Sequence, residues 1–92
     1  MADDQEIEPF DPKTVVGAYV YMAVADHVVA RIKADNLPPG AQLEGERAMA
    51  TEYGIALGTV RRAVRELVER GWVVTLPAKG TFIRLREEWP KD

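Results

Sequence analysis

The chain has 92 residues, of which 47% are hydrophobic and 29% charged, and a formal net charge of −3; these values bound it to one small globular domain. It has no cysteine, no serine and one histidine, His27, which excludes disulfides, the N- and S-ligand sets of structural zinc, and the two familiar nucleophiles of covalent catalysis. No apolar run approaches the ~18 residues of a membrane span, and the acidic start Met1-Ala2-Asp3-Asp4 lacks the basic and apolar regions of a secretory signal. Gly40, Gly45, Gly54 and Gly58 are too scattered to form a phosphate loop. The expectation is a cytoplasmic protein that is not an enzyme, with no cofactor and no metal.

Residues 1–13 hold five acids and two prolines with little apolar periodicity, which predicts a flexible, extended arm. Tyr21, Val24, Ala25, Val28, Val29 and Ile32 then recur at helical spacing, predicting an amphipathic helix that reaches Ala34. His27 falls off this stripe and reads as a surface or flank residue. Asp35-Asn36 can take the left-handed conformation that ends a helix, and Pro38-Pro39-Gly40 forbids its continuation. Gln42-Leu43 adds a short extended stretch. A second helix is predicted over 46–53, capped by Gly45 and ended by Gly54, with Ala48, Met49 and Ala50 for packing.

The third helix is predicted over 57–70 and stopped by Gly71. Its apolar stripe is Val60, Ala63, Val64, Leu67 and Val68; its exposed face is Thr59, Arg61, Arg62, Arg65, Glu66 and Glu69. Its arginines crowd the first two turns, where the helix dipole prefers acids, so a negative partner outside the protein is implied. Beyond Gly71, residues 72–76 and 81–85 are rich in β-formers and flank the turn Pro77-Ala78-Lys79-Gly80. Trp72 reads as core, and residues 86–92 as a charged tail.

Three helices with a tight turn between the second and third, then a hairpin, make a mainly α fold with a small β wing. This is a winged helix-turn-helix, a three-helix bundle plus β-hairpin, over residues 14–86. The charge distribution suits nucleic acid despite the acidic total. Residues 47–86 carry eight Arg or Lys against three Glu, a net of +5, while residues 1–46 carry −6 and residues 87–92 carry −2. Local field outweighs net charge because exposed charges are screened beyond ~10 Å. The third helix would enter the major groove of double-stranded DNA by its N-terminal end, where Arg61 can pair bidentately with guanine. Arg62 and Arg65 either join it or pair with Glu66 and Glu69 at i,i+4. Leu57 either touches a thymine methyl or folds into the core. Lys79 and the Gly80 backbone would approach a phosphate or the minor groove.

The same residues resemble the DNA-binding domain of GntR-type bacterial regulators. The resemblance rests on Leu37-Pro38-Pro39-Gly40-Ala41-Gln42-Leu43, Glu46-Arg47-Ala48-Met49-Ala50, Tyr53-Gly54-Ile55, the run from Thr59 to Leu67, Glu69-Arg70-Gly71-Trp72-Val73 and Lys79-Gly80-Thr81-Phe82-Ile83. It implies a sequence-specific transcriptional regulator, with Arg47 on DNA from the second helix and Thr59 and Arg61 at the start of the recognition helix. It also implies Lys79 and Gly80 at the wing contact, and a homodimer on an inverted repeat. The sequence departs from the family's pattern in three places. Glu44-Gly45 stands where Pro-Ser is usual. Ala56-Leu57-Gly58 replaces a hydroxyl cap followed by arginine, at a cost of about 1 kcal/mol for the cap. Ala78 stands where glycine is common at the wing tip. Nine residues follow Ile83, where full-length family members carry a C-terminal effector domain, so the chain reads as a short form lacking that domain or as a fragment. The acidic arm offers a surface to a protein partner. The alternative to a DNA reader is a winged-helix protein-interaction module with weak or no DNA binding.

Overall fold

The apolar residues of the three predicted helices close on one core. The computed structural model describes residues 7–12 and 19–91, and contains helices α1 (Val20–Lys33), α2 (Glu46–Tyr53) and α3 (Leu57–Arg70) and strands β1 (Val73–Leu76) and β2 (Gly80–Ile83). α1 packs chiefly on α3, α2 also lies on α3, and α3 leads into β1. Val24, Ala25, Val28 and Ile32 of α1 meet Met49 and Tyr53 of α2 and Val60, Ala63 and Leu67 of α3. Leu37, Leu43, Trp72, Val73 and Ile83 complete the core. No helix among the described residues is long and apolar enough to cross a membrane.

The helix ends follow from residue chemistry. Asp35 turns left-handed (φ 64°) after α1, as the Asp35-Asn36 pair predicts. Gly54 (φ 68°) closes α2, and Gly71 (φ 92°) closes α3, returning the Trp72 N–H to the Leu67 carbonyl at 3.1 Å. β1 and β2 pair antiparallel, with Val73 opposite Ile83 and Leu76 opposite Gly80. β2 is paired on its other edge too. The Gly40 N–H donates to the Ile83 carbonyl, the Ile83 N–H to Ala41, and the Leu43 N–H to Thr81, each at 2.8 Å. The extended stretch at Gln42-Leu43 is therefore a third, short ribbon of the wing.

Several residues differ from the sequence expectation. Val68 is 37% exposed, on the edge of the apolar stripe. Ala48 is exposed, and Tyr53 instead supplies the buried bulk of α2. The second strand ends at Ile83, leaving Leu85 outside it. The tail is more than charge: after a 3-10 turn over Arg86–Glu88, Trp89 lies 5.4 Å from the Trp72 ring and donates its indole N–H to the Arg84 carbonyl at 2.8 Å. His27 is no plain surface residue, because it is half-buried and hydrogen-bonded at both ring nitrogens. One of those bonds goes to the acidic arm. Of that arm, residues 1–6 and 13 lie outside the described residues, while in 7–12 Phe10 packs on the core between His27 and Tyr53. A ring of this size stays on an apolar surface once a pocket exists for it, which a composition-based reading of the arm misses.

Candidate nucleic-acid interface

α3 begins without a side-chain cap. Ala56 has no group to offer, and there is no acid in the first turn. Among the described residues nothing accepts the N–H groups of Leu57 and Gly58, whereas those of Thr59 and Val60 go to the Ala56 carbonyl at 3.0 and 3.1 Å. This end of the helix therefore presents free N–H donors and the positive pole of its dipole. Gly58 is exposed, with open space where a side chain would stand, so the protein itself does not require glycine there. Leu57 and Thr59 are half-buried.

The arginines of α3 are arranged in three different ways. Arg61 donates its Nε–H to Glu46 of α2 at 3.0 Å, leaving both terminal nitrogens without a partner among the described residues. Those two nitrogens are the ones a bidentate guanine contact uses, so the ion pair aims the side chain without occupying its working end. Arg62 lies over the Tyr21 ring at 4.1 Å, a cation–π contact between α3 and α1. Arg65 is exposed and has no ion pair among the described residues. The i,i+4 pairs of Arg62 with Glu66 and Arg65 with Glu69 do not form. Glu66 turns instead to Arg70, at 2.8 Å, and Arg70 also takes Asp26 of α1 at 2.8 Å. Burial alone would lower the pKa of Arg70, but its bonds to Glu66 and Asp26 outweigh this and raise it. Arg70 is thus a structural clasp between helices at the far end of α3.

Arg47 is exposed in the first turn of α2 and has no ion pair among the described residues. A shallow groove of about 200 Å³ runs between Gly80 and Thr81 of the wing, Glu46 of α2 and Val64 of α3. The wing therefore adjoins the helix starts that carry Arg47 and Arg61. At the tip, Ala78 takes the left-handed conformation usually given to glycine (φ 65°), and the Lys79 N–H closes the turn on the Leu76 carbonyl at 3.0 Å. The Lys79 side chain is exposed. Sequence reasoning places Glu46 only at a helix dipole and Tyr21 only in a core stripe. Their contacts with Arg61 and Arg62 span 15 and 41 positions, beyond the reach of any local pattern.

The α1–α2 flank is polar in another way. Nε2 of His27 donates to the Glu8 carbonyl at 2.7 Å, and in the neutral ring Nδ1 then accepts from the Tyr53 hydroxyl at 2.9 Å. The same hydroxyl accepts from Arg31 at 3.2 Å, and Arg31 also faces Glu52 at 3.7 Å. Burial raises the Tyr53 pKa above its usual value of 10.0. A cleft of about 240 Å³ opens here between Phe10, His27, Arg31 and Glu52.

Residues 20–83 match the family model described as "Bacterial regulatory proteins, gntR family". The HTH-type transcriptional regulator SmoD of Agrobacterium fabrum is 40% identical over 71% of this chain and 28% of its own length. The chain thus spans about a quarter of the length of the first curated relatives it matches. Among solved structures, a transcriptional regulator from Oenococcus oeni is 30% identical with a TM-score of 0.71, over 78% of this chain and 60% of that one. AraR(DBD), solved in complex with operator ORR3, shares the fold with a TM-score of 0.64 at 24% identity, over 68% of this chain and 76% of that one. The chain belongs to the GntR family of bacterial regulatory proteins.

Proposed function

We propose that this chain is the DNA-reading module of a bacterial transcriptional regulator, acting on double-stranded DNA at the nucleoid and not as an enzyme. The N-terminal end of α3 enters the major groove, and the wing tip lies over a phosphate or the minor groove. Arg61 reads a base, Leu57 and Gly58 approach the backbone, and Thr59 contacts phosphate. Arg47, Arg62 and Arg65 are backbone cations, and Lys79 with Gly80 forms the wing contact. A homodimer on an inverted repeat follows from the way such modules read two half-sites.

The observation that carries this reading is the start of α3. The first nine residues of α3 hold three exposed arginines, no acid and no cap, and Arg61 is aimed by Glu46 with its terminal nitrogens open among the described residues. Within the chain such an array gains little. Against a phosphate backbone it gains at every position. The test is an anisotropy titration of the chain against its own upstream DNA and a scrambled duplex, at two salt concentrations. Tight, salt-sensitive binding that prefers the native duplex is expected. Equal binding to both duplexes would reduce the module to a non-specific binder. No binding at low salt would overturn the reading and favour a winged-helix protein-interaction module.

A further inference from the structure

Gln42 belongs to none of the groups assigned above. It is exposed, sits between α1 and α2, and bridges Phe82 of β2 through its backbone. From there its side chain reaches the wing tip, where Nε2 donates to the Lys79 carbonyl at 3.0 Å, 37 positions along the chain. The tip has need of a brace. Ala78 holds a left-handed backbone (φ 65°) without being glycine, a conformation that an L-residue adopts only at a cost. Gly80 sits at φ 124°, and a Cβ there would collide with the Gln42 amide nitrogen. Glycine at 80 therefore does two things: it permits the backbone angle and it admits the Gln42 side chain.

Resting on the DNA reading above, we propose that Gln42 is the positioning residue of the wing. It fixes the Ala78–Gly80 backbone in the conformation that carries Lys79 to a DNA phosphate. Gln42 itself makes no DNA contact in this role; it acts through the Lys79 carbonyl.

The test uses Gln42→Met in the full chain, a change that keeps length and charge and removes the donor. Two readouts are needed: duplex affinity across a salt series, and backbone ¹⁵N order parameters for Ala78, Lys79 and Gly80. The expected result is an affinity loss of about fivefold and a salt slope smaller by about 0.9, the share of one phosphate contact. Lys79→Met should give the same slope alone and add nothing in the Gln42→Met background. Tip order parameters should fall from about 0.85 toward about 0.6 while the unfolding midpoint stays put. A retained salt slope with additive losses would overturn the proposal, as would a lowered midpoint with the tip still rigid. If the wild type binds no duplex, the DNA reading fails on its own, and the order parameters then decide the brace: a tip as rigid as in the wild type overturns it, and a loosened tip sustains it.

Discussion

The two polar faces of this domain are built on opposite plans. On the α1–α2 flank the polar groups form a chain: His27 meets Glu8 and Tyr53, Tyr53 meets Arg31, and Arg31 meets Glu52. At the start of α3 and on the wing, Arg47, Arg65 and the Lys79 side chain have no acid paired with them among the described residues, and Arg61 keeps its terminal nitrogens open there. A self-satisfied network rigidifies the fold. Unmatched cations do nothing for the fold and mark where a partner of opposite charge belongs. The comparison therefore separates residues that hold the domain together from residues proposed to act on DNA, although both sets are rich in charge.

The largest effect that would sharpen this contrast is Tyr53→Ala. Tyr53 is buried to 2% exposure and anchors both the hydroxyl network and the Phe10 contact, so unfolding in urea should show a loss of about 3–5 kcal/mol, the range for deleting a buried aromatic ring. A loss below about 1 kcal/mol would mean that the flank is not what stabilises the domain. Next comes Arg61→Ala, which should leave the urea midpoint unchanged, since an exposed ion pair contributes under about 1 kcal/mol, yet weaken duplex binding by about 1–3 kcal/mol. Unchanged affinity would break the division between the two faces at its central residue.

The smallest effect concerns Glu44. A hydrogen bond to Glu52, then burial, raises its pKa above the usual 4.5, so the folded chain holds this proton more tightly than the unfolded chain. Its contribution is complete below pH 4.5 and disappears as pH rises past the raised value. Glu44→Gln supplies a donor that needs no proton, so thermal melts from pH 4.5 upward should lose part of the decline seen in the wild type. An identical pH profile in the two proteins would show that the pair is not hydrogen-bonded in solution.

Much of the scaffold was legible because its boundaries are local. Gly54 and Gly71 mark their helix ends by intrinsic conformational preference, and α2 and α3 run between the predicted residues. The apolar stripe of α3 failed at Val68, because the period of a helix cannot say how wide a face its neighbours cover. What remained hidden was long-range and polar. Phe10 on Tyr53, Trp89 on Trp72, Gln42 on Lys79 and Arg62 on Tyr21 join residues that no periodicity relates. The candidate site residues could be named from charge and position. The partners that orient them could not, because a pairing of Arg62 with Glu66 satisfies the helix rule as well as the observed pairing of Glu66 with Arg70 does.

The Glu46–Arg61 bond has a consequence for how such a module changes over evolutionary time. Because the arginine is aimed from a different helix, its direction depends on how α2 sits against α3. A conservative change at Met49 or Val60, buried residues of those two helices, would tilt one relative to the other and swing the guanidinium, which on the proposed reading faces the base pairs. On that reading new target preferences can arise from drift in the interior, with every residue proposed to face DNA left as it was.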